Sequence, residues 1–287
     1  VSYCSATFDS TNNKVVIAFR DEGNSNYGTA IVGTVSGTSI SFGAESVFES
    51  ANLADISATF DSTNGKVVIT YSDIGNNYYG TAIVGTVSGT SISYGSAVVF
   101  ESAATYDKSA TFDPTNGKVV IAYQDGGNSN NGTAIVGTVS GTSISFGTPV
   151  VFESANTQQI SATFDSTKDD VIIAYQDRGN SNYGTAIVGT VSGTSISFDT
   201  PIVFESAASE YMAAAYDSTN DRTLIAYKHD GNSEGTGVVF KNSGNTNLTS
   251  SNFIGFSDAA YSDGDTAIIQ IEGSVDDAQS GLTTARK

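Results

Sequence analysis

Short runs of β-branched residues recur along the chain at a constant spacing. One run, Lys118–Gln124, reads KVVIAYQ, and it is followed by a polar loop and then by a second apolar stretch, Gly132–Val139. Runs that are rich in Val and Ile and lack a 3.6-residue period predict buried β-strands rather than helices. The pattern therefore predicts an all-β chain.

The same pattern appears five times with a period of 52 residues. The string GTAIVGTVSGTSIS occurs unchanged at 28–41, 80–93, 132–145 and 184–197. An aspartate closes the first strand of every copy, at Asp9, Asp61, Asp113, Asp165 and Asp217. Self-similarity at such a period is typical of propellers and solenoids.

Each copy predicts four antiparallel strands, which we name A to D. In the third copy, strand A ends at Asp113, Asn116-Gly117 forms a hairpin turn, strands B and C are the two apolar runs, and strand D covers about 143–154. Four such strands match one propeller blade, and the small residues of strand A suit a crowded innermost strand. We therefore predict a β-propeller of four-stranded antiparallel blades with five visible repeats. A solenoid is the rival, and more blades are expected if copies are missing upstream.

The predicted propeller covers residues 1–257, with blades at about 1–52, 53–104, 105–156, 157–208 and 209–257. The fifth copy has diverged, but Asn252–Ser257 still aligns with strand D of the copy before it. Residues 258–287 are predicted to form a short C-terminal β-hairpin tail around Asp263-Gly264, or a truncated module.

The composition excludes several classes of function. The formal net charge of −18 repels a phosphate backbone, so we expect no nucleic-acid partner. No apolar run approaches the roughly 20 residues of a membrane helix, so we expect no membrane insertion. Cys4 is the single cysteine and leaves no internal disulfide.

Residues for common chemistry are scarce. His229 is the only histidine, which excludes an ordinary zinc site and disfavours a Ser-His-Asp or Cys-His centre. Carboxylates recur in the copies at Glu49, Glu101, Glu153 and Glu205. A single active site needs residues that break the repeat, whereas a structural role recurs in every blade. We therefore expect no catalytic residues, no enzyme activity and no cofactor.

The two ends of the predicted blades differ. The A–B and C–D turns are short and nearly identical in all copies, whereas the B–C loops and the D–A connections at 52–55, 104–107, 156–159 and 208–211 vary. Varied loops on a constant scaffold are where binding usually resides. A binding face is therefore predicted at the B–C and D–A end.

The B–C loops offer carboxylates and amides that bracket sugar hydroxyls, and tyrosine rings that stack on a sugar face. The candidate ligand-binding residues are Asp21, Asn24, Asn26, Tyr27, Asp73, Asn76, Tyr79, Asp125, Asn128, Asn130, Asp177, Asn180, Asn182 and Tyr183. A site repeated around a ring would add avidity. Ordinary loop formation is the competing interpretation, since Asn, Asp, Ser and Gly are common loop residues. A calcium site is a further alternative, although the spacing departs from the known calcium loop.

Two stretches carry a resemblance to a known group of proteins. The repeat, with SATFDSTNGKVVITY at 57–71 and VVFESA at 98–103, resembles repeat regions of fibre-like structural proteins of tailed bacteriophages, especially marine cyanophages. Residues 248–282 look like the C-terminal module that closes such proteins, although there the segment after SGL usually continues into more strands. The resemblance supplies no catalytic motif. It implies a multi-copy protein on the virion, hence a virion or extracellular location.

Together these features predict a virion-surface or tail-fibre protein that binds a host-surface carbohydrate or receptor through one propeller face. Other virion proteins, and further copies of the chain in a homo-oligomer, are expected partners. A purely structural virion component and a secreted lectin of a cellular organism stay open as alternatives. A glycan-cleaving enzyme is a third.

Overall fold

The computed structural model describes residues 1–231 and 234–242 and two short strands, Phe256–Ser257 and Ile269–Gln270. The chain divides into two compact units, Val1–Asn242 and Ser243–Lys287. The first unit consists of antiparallel strands and one short 3-10 turn, Ile74–Asn76. The predicted all-β fold with antiparallel four-stranded blades is confirmed. No helix in the described part of the chain is long and apolar enough to cross a membrane.

Nineteen strands build the first unit, and four long strands join successive blades. The strands are β1 Ser2–Asp9, β2 Lys14–Asp21, β3 Tyr27–Ser36, β4 Ser39–Phe42, β5 Ser46–Asp61, β6 Lys66–Asp73, β7 Tyr79–Ser88, β8 Ser91–Tyr94, β9 Val98–Asp113, β10 Lys118–Asp125, β11 Asn131–Ser140, β12 Ser143–Phe146, β13 Val150–Asp165, β14 Asp170–Asp177, β15 Tyr183–Ser192, β16 Ser195–Phe198, β17 Ile202–Asp217, β18 Arg222–His229 and β19 Glu234–Phe240.

Strand D of each of the first four blades is built in two pieces. In the first blade, β3 pairs with β4 at one end, where Gly33 faces Phe42, and with the start of β5 at the other, where Thr29 faces Val47. The single strand D predicted for 143–154 is likewise divided between β12 and β13. The blade is thus as predicted in order and pairing, with a break in its outermost strand.

The D–A connections are not loops, which corrects the sequence-based prediction. Strand β5 pairs with β3 in its first half and with β6 in its second, so the chain passes from one blade to the next without leaving a strand. The bend comes from Asp55, which has a left-handed φ of 49°, and from a register shift between Ala54 and Ser57. A bulge of this kind turns a strand while preserving its pairing, and a stretch of short polar residues does not distinguish it from a loop. The equivalent left-handed residues are Asp107, Gln159 and Tyr211.

The core lies between the blades. On strand B of the first blade, Val16 and Ala18 pack against Val67 and Ile69 of the next blade. Successive residues of a strand point to opposite faces, so in an inner blade every second residue of strand B packs against the preceding blade and the rest against the following one. This two-sided burial explains the uninterrupted apolar runs of strand B.

Inner strands of neighbouring blades are joined by a repeated serine contact. The Ser5 Oγ accepts a hydrogen bond of 2.9 Å from the backbone N–H of Ala58, 53 residues further along the chain. The same bond recurs between Ser57 and Ala110, Ser109 and Ala162, and Ser161 and Ala214. The small residues predicted for strand A therefore allow the inner strands of neighbouring blades to approach this closely.

The array of blades is open. On the first blade Val35 is 55% exposed, whereas the equivalent Val87 of the second is 6% exposed. On the fifth blade Leu224 is 49% exposed, whereas the equivalent Ile172 is 0% exposed. Each end blade thus leaves one apolar face uncovered by the described residues. The number of blades in a closed ring stays a prediction.

Two predicted features fall largely outside the described residues. In the second unit Phe256 pairs with Gln270 and Ser257 with Ile269, antiparallel. The rest of the predicted tail hairpin around Asp263-Gly264, and of strand D at 252–257, lies outside them. The predicted domain boundary after residue 257 stays a prediction.

The open ends give a matched stability test. Ile172→Ala should lower the free energy of unfolding by about 2–5 kcal/mol, because it leaves a cavity in a closed interface between blades. Leu224→Ala, at the same repeat position on the exposed face, should cost less than about 1 kcal/mol. Chemical denaturation followed by tyrosine fluorescence measures both. Equal losses would contradict an open fifth blade.

Candidate functional site

The B–C loops and the strand bends lie at one end of the blades, as predicted. The backbone O of Tyr78, in a B–C loop, accepts a hydrogen bond of 2.9 Å from Thr105 N in the bend of β9. On the other side of that bend, Ala104 O accepts one of 2.8 Å from Gly126 N in the next B–C loop. The bends of β13 and β17 make the same two bonds, so these three bends are held between the loops of two consecutive blades. We call this end of the array the loop end.

The opposite end is occupied by turns that a buried aspartate holds. The Asp61 Oδ1 accepts hydrogen bonds from Thr63 N at 3.0 Å and from Asn64 N at 2.9 Å, and its Oδ2 accepts one from the Asn64 side chain. Asp113 makes the same contacts to Asn116. These two carboxylates are buried and hold the hairpin turn.

The candidate aspartates of the B–C loops are engaged in a similar way. The Asp177 Oδ1 accepts hydrogen bonds from Gly179 N at 2.9 Å and from Asn180 N at 3.1 Å. The other three make an equivalent bond to the backbone of their own loops, namely Asp21 to Gly23, Asp73 to Asn76 and Asp125 to Gly127. Their first role is to shape the loop.

The candidate asparagines divide into two groups. Asn26, Asn130 and Asn182 adopt left-handed φ angles of 62° to 63°, a conformation that asparagine tolerates better than most residues. The backbone conformation of the loop therefore explains why asparagine occurs at these three positions. Asn24, Asn128 and Asn180 are exposed at the loop tips, and Asn76 is half-buried.

The candidate tyrosines are not loop residues, which corrects the prediction. Tyr27, Tyr79 and Tyr183 are the first residues of strands β3, β7 and β15, and all three are half-buried. Each is a register partner of the loop aspartate at the end of strand B, as Tyr79 is of Asp73. The loop end thus has half-buried rings at its base and exposed amides at its tips.

The recurrent glutamates join consecutive blades. The Tyr71 hydroxyl of the second blade donates a hydrogen bond of 2.9 Å to Glu49 Oε2 of the first. The same pair recurs as Tyr123 with Glu101, Tyr175 with Glu153 and Tyr227 with Glu205. Burial raises the pKa of Glu101 and of Glu153, and the neighbouring Asp125 and Asp177 carboxylates raise them further. Their recurrence in every interface matches the structural role inferred from the sequence.

No metal centre is evident within residues 1–231 and 234–242. No group of three or more His, Cys, Asp and Glu side chains is arranged there to hold an ion. The calcium alternative for the loops therefore gains no support from the geometry.

A group of side chains that sequence reasoning missed lies between the second and third blades. Lys108 is buried at a repeat position that is occupied elsewhere by Cys4, Ile56, Ile160 and Met212. Its Nζ donates hydrogen bonds to Ser72 Oγ and, at 3.4 Å, to the backbone O of Thr105. Burial lowers the pKa of Lys108 from 10.5 to about 8, against the opposing attraction of Asp55 and Asp107.

Asp107 precedes this lysine in the chain and lies at a repeat position whose residue type changes among the blades. Burial raises the pKa of the Asp107 carboxyl, the Asp55 carboxylate raises it further, and a hydrogen bond from the Gln159 backbone opposes both. Its repeat position holds Tyr3, Asp55, Asp107, Gln159 and Tyr211, all with left-handed φ. A side chain at this position can accept a hydrogen bond from the backbone of the next blade. Gln159 Oε1, for example, accepts one of 2.9 Å from Tyr211 N.

Two tyrosines complete the group. The Tyr78 and Tyr106 rings lie with centroids 6.1 Å apart and planes tilted by 45°. Tyr78 is 40% exposed. The signal for these residues is present in the sequence, by the criterion that a single site should break the repeat. Lysine in place of isoleucine at 108 meets it.

The comparisons with known proteins support the fold. No family model and no curated protein sequence matches the chain. Among solved structures, the chain is similar to a Dyadobacter fermentans protein of unknown function, with TM-score 0.59, 14% identity, and 84% of this chain and 78% of that chain covered. It is also similar to the SapL1 lectin in complex with alpha methyl fucoside, with TM-score 0.54, 17% identity and coverage of 84% and 76%. An exo-beta-1,3-galactanase from Phanerochaete chrysosporium gives TM-score 0.52, 10% identity and 79% coverage, and the chain spans 56% of that protein.

The expectation that the chain is not an enzyme is contradicted by these comparisons. Several of the similar structures are exo-beta-1,3-galactanases. The structural similarity shows a shared fold. At such low sequence identity it does not show a shared activity. The missing Ser-His-Asp and zinc residues therefore do not exclude catalysis, because this architecture also carries glycoside hydrolases.

The buried lysine generates a pH-dependent prediction. Lys108→Met, which copies Met212, should raise stability by up to about 3 kcal/mol below pH 8, because it removes a charge whose burial lowers its pKa from 10.5 to about 8. Between those two pH values the unfolded chain keeps a proton that the folded chain has released, so the native protein gains stability as pH rises. The difference between Lys108→Met and the unmodified chain should then shrink. Thermal melts from pH 6 to pH 9.5 measure it, and a constant difference would contradict the assignment.

Proposed function

We propose that the chain is a carbohydrate-binding protein whose loop end contacts the glycan. The observation that carries the proposal is the asymmetry of the array: the turn end repeats the same capped turns, whereas the loop end varies from blade to blade. Exposed amides at Asn24, Asn128 and Asn180 supply donors and acceptors for sugar hydroxyls. The sugar complex of the similar lectin supports this reading of the fold.

We further propose that this binding serves a virion-surface or tail-fibre protein that attaches to a host glycan or receptor. The support is the sequence resemblance of the repeat to phage fibre proteins. A protein present in many copies on the virion suits such a role, since several weak contacts to a densely glycosylated surface give high avidity. The location would be the virion or the extracellular space.

The near-identity of four copies also favours a second candidate, a structural virion component whose loop end contacts other virion proteins. A reconstruction of the virion distinguishes the two. A loop end buried against another virion protein would support the structural role, and an exposed one would support attachment. Detection of the gene in a cellular genome without phage neighbours would favour a secreted lectin.

A glycan array screened with the purified chain tests the proposal. We expect specific binding to a limited set of glycans, unchanged by a calcium chelator, because the described loops hold no group of three or more Asp, Glu, His or Cys side chains arranged for an ion. Loss of binding on chelation would restore the calcium alternative. A blank array would overturn carbohydrate binding and leave the structural role.

The contribution of the repeated loops can be measured with a triple variant. Replacing Tyr27, Tyr79 and Tyr183 together with alanine should weaken binding to a dense glycan surface by about tenfold or more, since it removes three rings at the base of the loops. Phe42→Ala serves as the control, because Phe42 is an exposed aromatic residue outside the loop end. Unchanged binding by the triple variant would remove these rings from the binding face.

A further inference from the structure

Two residues between the second and third blades break the repeat, and two more, Tyr106 and Gly126, lie at neighbouring positions that vary in every blade. Tyr78 stands where the other blades have Asn26, Asn130 and Asn182, and Lys108 stands at an otherwise apolar position. The position of Tyr106 is held elsewhere by Ser2, Ala54, Gln158 and Glu210, and that of Gly126 by Glu22, Ile74, Arg178 and Asp230. A role in folding would recur in every blade, so their joint appearance at one place indicates a local function.

We propose that one non-repeated saccharide-binding site lies at the loop end between these blades, and that its ligand is a neutral pyranose. The contacting residues are Tyr78, Tyr106, Asp55 and Asp107. The inference rests on the proposed carbohydrate binding and names the site and the class of sugar.

The two tyrosines form an aromatic wall. Their ring centroids are 6.1 Å apart, and Thr105 fixes the loop that carries Tyr78 through bonds from its N and Oγ1 to the Tyr78 backbone O. A Cβ at Gly126 would lie 3.1 Å from Tyr106 Cε2, closer than side chains usually approach, so glycine there leaves room for the ring. Aromatic faces of this kind pack against the C–H face of a pyranose.

Tyr78 holds an unfavourable backbone conformation. Its φ is 62°, in the left-handed region that bulky residues seldom adopt and that the other blades fill mainly with asparagine. The ring is nevertheless 40% exposed and makes no large contribution to a core. Strain that gives no gain in packing is found mainly at binding and catalytic sites.

Asp55 and Asp107 supply the acceptors of the proposed site. Asp107 follows Tyr106 directly, and the Asp55 and Asp107 carboxylates lie close enough to influence each other and the Lys108 ammonium. The ammonium is buried and bonded to Ser72 and Thr105, so we assign Lys108 as a positioning residue that partly neutralises the carboxylates from behind. Ionised carboxylates accept strong hydrogen bonds from hydroxyl groups.

Charge decides the class of sugar. Two carboxylates face one ammonium, so the site keeps a negative excess, and the whole chain carries −18. Uronates, sialic acids and sulfated sugars would bring a further negative charge into this field and would be repelled. A neutral pyranose presents hydroxyl donors to the carboxylates and an apolar face to the rings.

The repeat itself provides variants that should fold. Tyr78→Asn copies three other blades and Tyr106→Gln copies Gln158. Tyr94→Phe copies Phe146 and Phe198 and serves as the control, because Tyr94 lies in the same blade on β8, outside the loop end. The probe is the neutral glycan with the strongest signal on the array, used in soluble monovalent form in isothermal titration calorimetry. We expect one equivalent bound per chain, an affinity about tenfold or more weaker for Tyr78→Asn and Tyr106→Gln, and a change within about twofold for Tyr94→Phe.

The possible outcomes distinguish a failure of this proposed site from a failure of carbohydrate binding as a whole. Absence of binding to every glycan on the array would overturn both. Binding that is restricted to acidic glycans, or that involves three or four equivalents per chain, would overturn this site and leave carbohydrate binding standing. Retained affinity in both tyrosine variants, with thermal melts showing that each is folded, would do the same.

The positioning role of Lys108 has its own readout. Lys108→Met should weaken monovalent binding and shift its pH dependence, because Asp55 and Asp107 would then repel each other without a compensating charge. Lys108→Arg retains the charge and should recover part of the affinity if the pocket accommodates the larger head group. Identical pH profiles for Lys108→Met and the unmodified chain would remove Lys108 from the site.

Discussion

The packing of one blade on the next is the constraint on which the rest of the molecule depends. Strand B of every inner blade is apolar on both sides, because Val16-type positions pack on the following blade and Val67-type positions on the preceding one. A single blade cannot bury either face alone, so stability belongs to the array rather than to the repeat. The Tyr–Glu pairs and the serine contacts of the inner strands add directional bonds to this apolar packing. On the first and fifth blades, the described residues leave one apolar face without such packing.

This constraint frees one end of the blades for variation. The strands and the turn end are restrained by burial and by the capping aspartates, so their residues recur almost unchanged. At the loop end the bends are held by backbone hydrogen bonds such as Thr105 N to Tyr78 O, which do not depend on side chains. Side chains there can change without loss of the fold, and it is there that the copies differ. A scaffold that separates stability from recognition in this way suits a family of binding proteins and hydrolases alike.

In the group around Lys108, by contrast, the residues of the proposed site lower the stability of the fold. A buried ammonium replaces an apolar side chain, two carboxylates share its field, and a tyrosine adopts a left-handed backbone conformation. Each of these features costs stability, and the buried lysine has no counterpart in another described blade. Such local conflicts with an otherwise consistent repeat are expected at functional sites, because only selection for a function would maintain them.

Sequence alone was sufficient for the repeat, the all-β fold, the order of the strands and the difference between the two ends. These follow from a 52-residue period, apolar runs and turn residues, all of which are local patterns repeated often enough to be unmistakable. The tertiary structure decided what depends on contacts between distant residues. It showed that the predicted D–A loops are bent strands and that Tyr27 and its equivalents lie on strands. It further showed that Tyr78 of one blade contacts Tyr106 of the next. It also showed that Lys108 is buried beside Asp107, because burial is set by neighbouring blades whose residues lie about one repeat away in the chain.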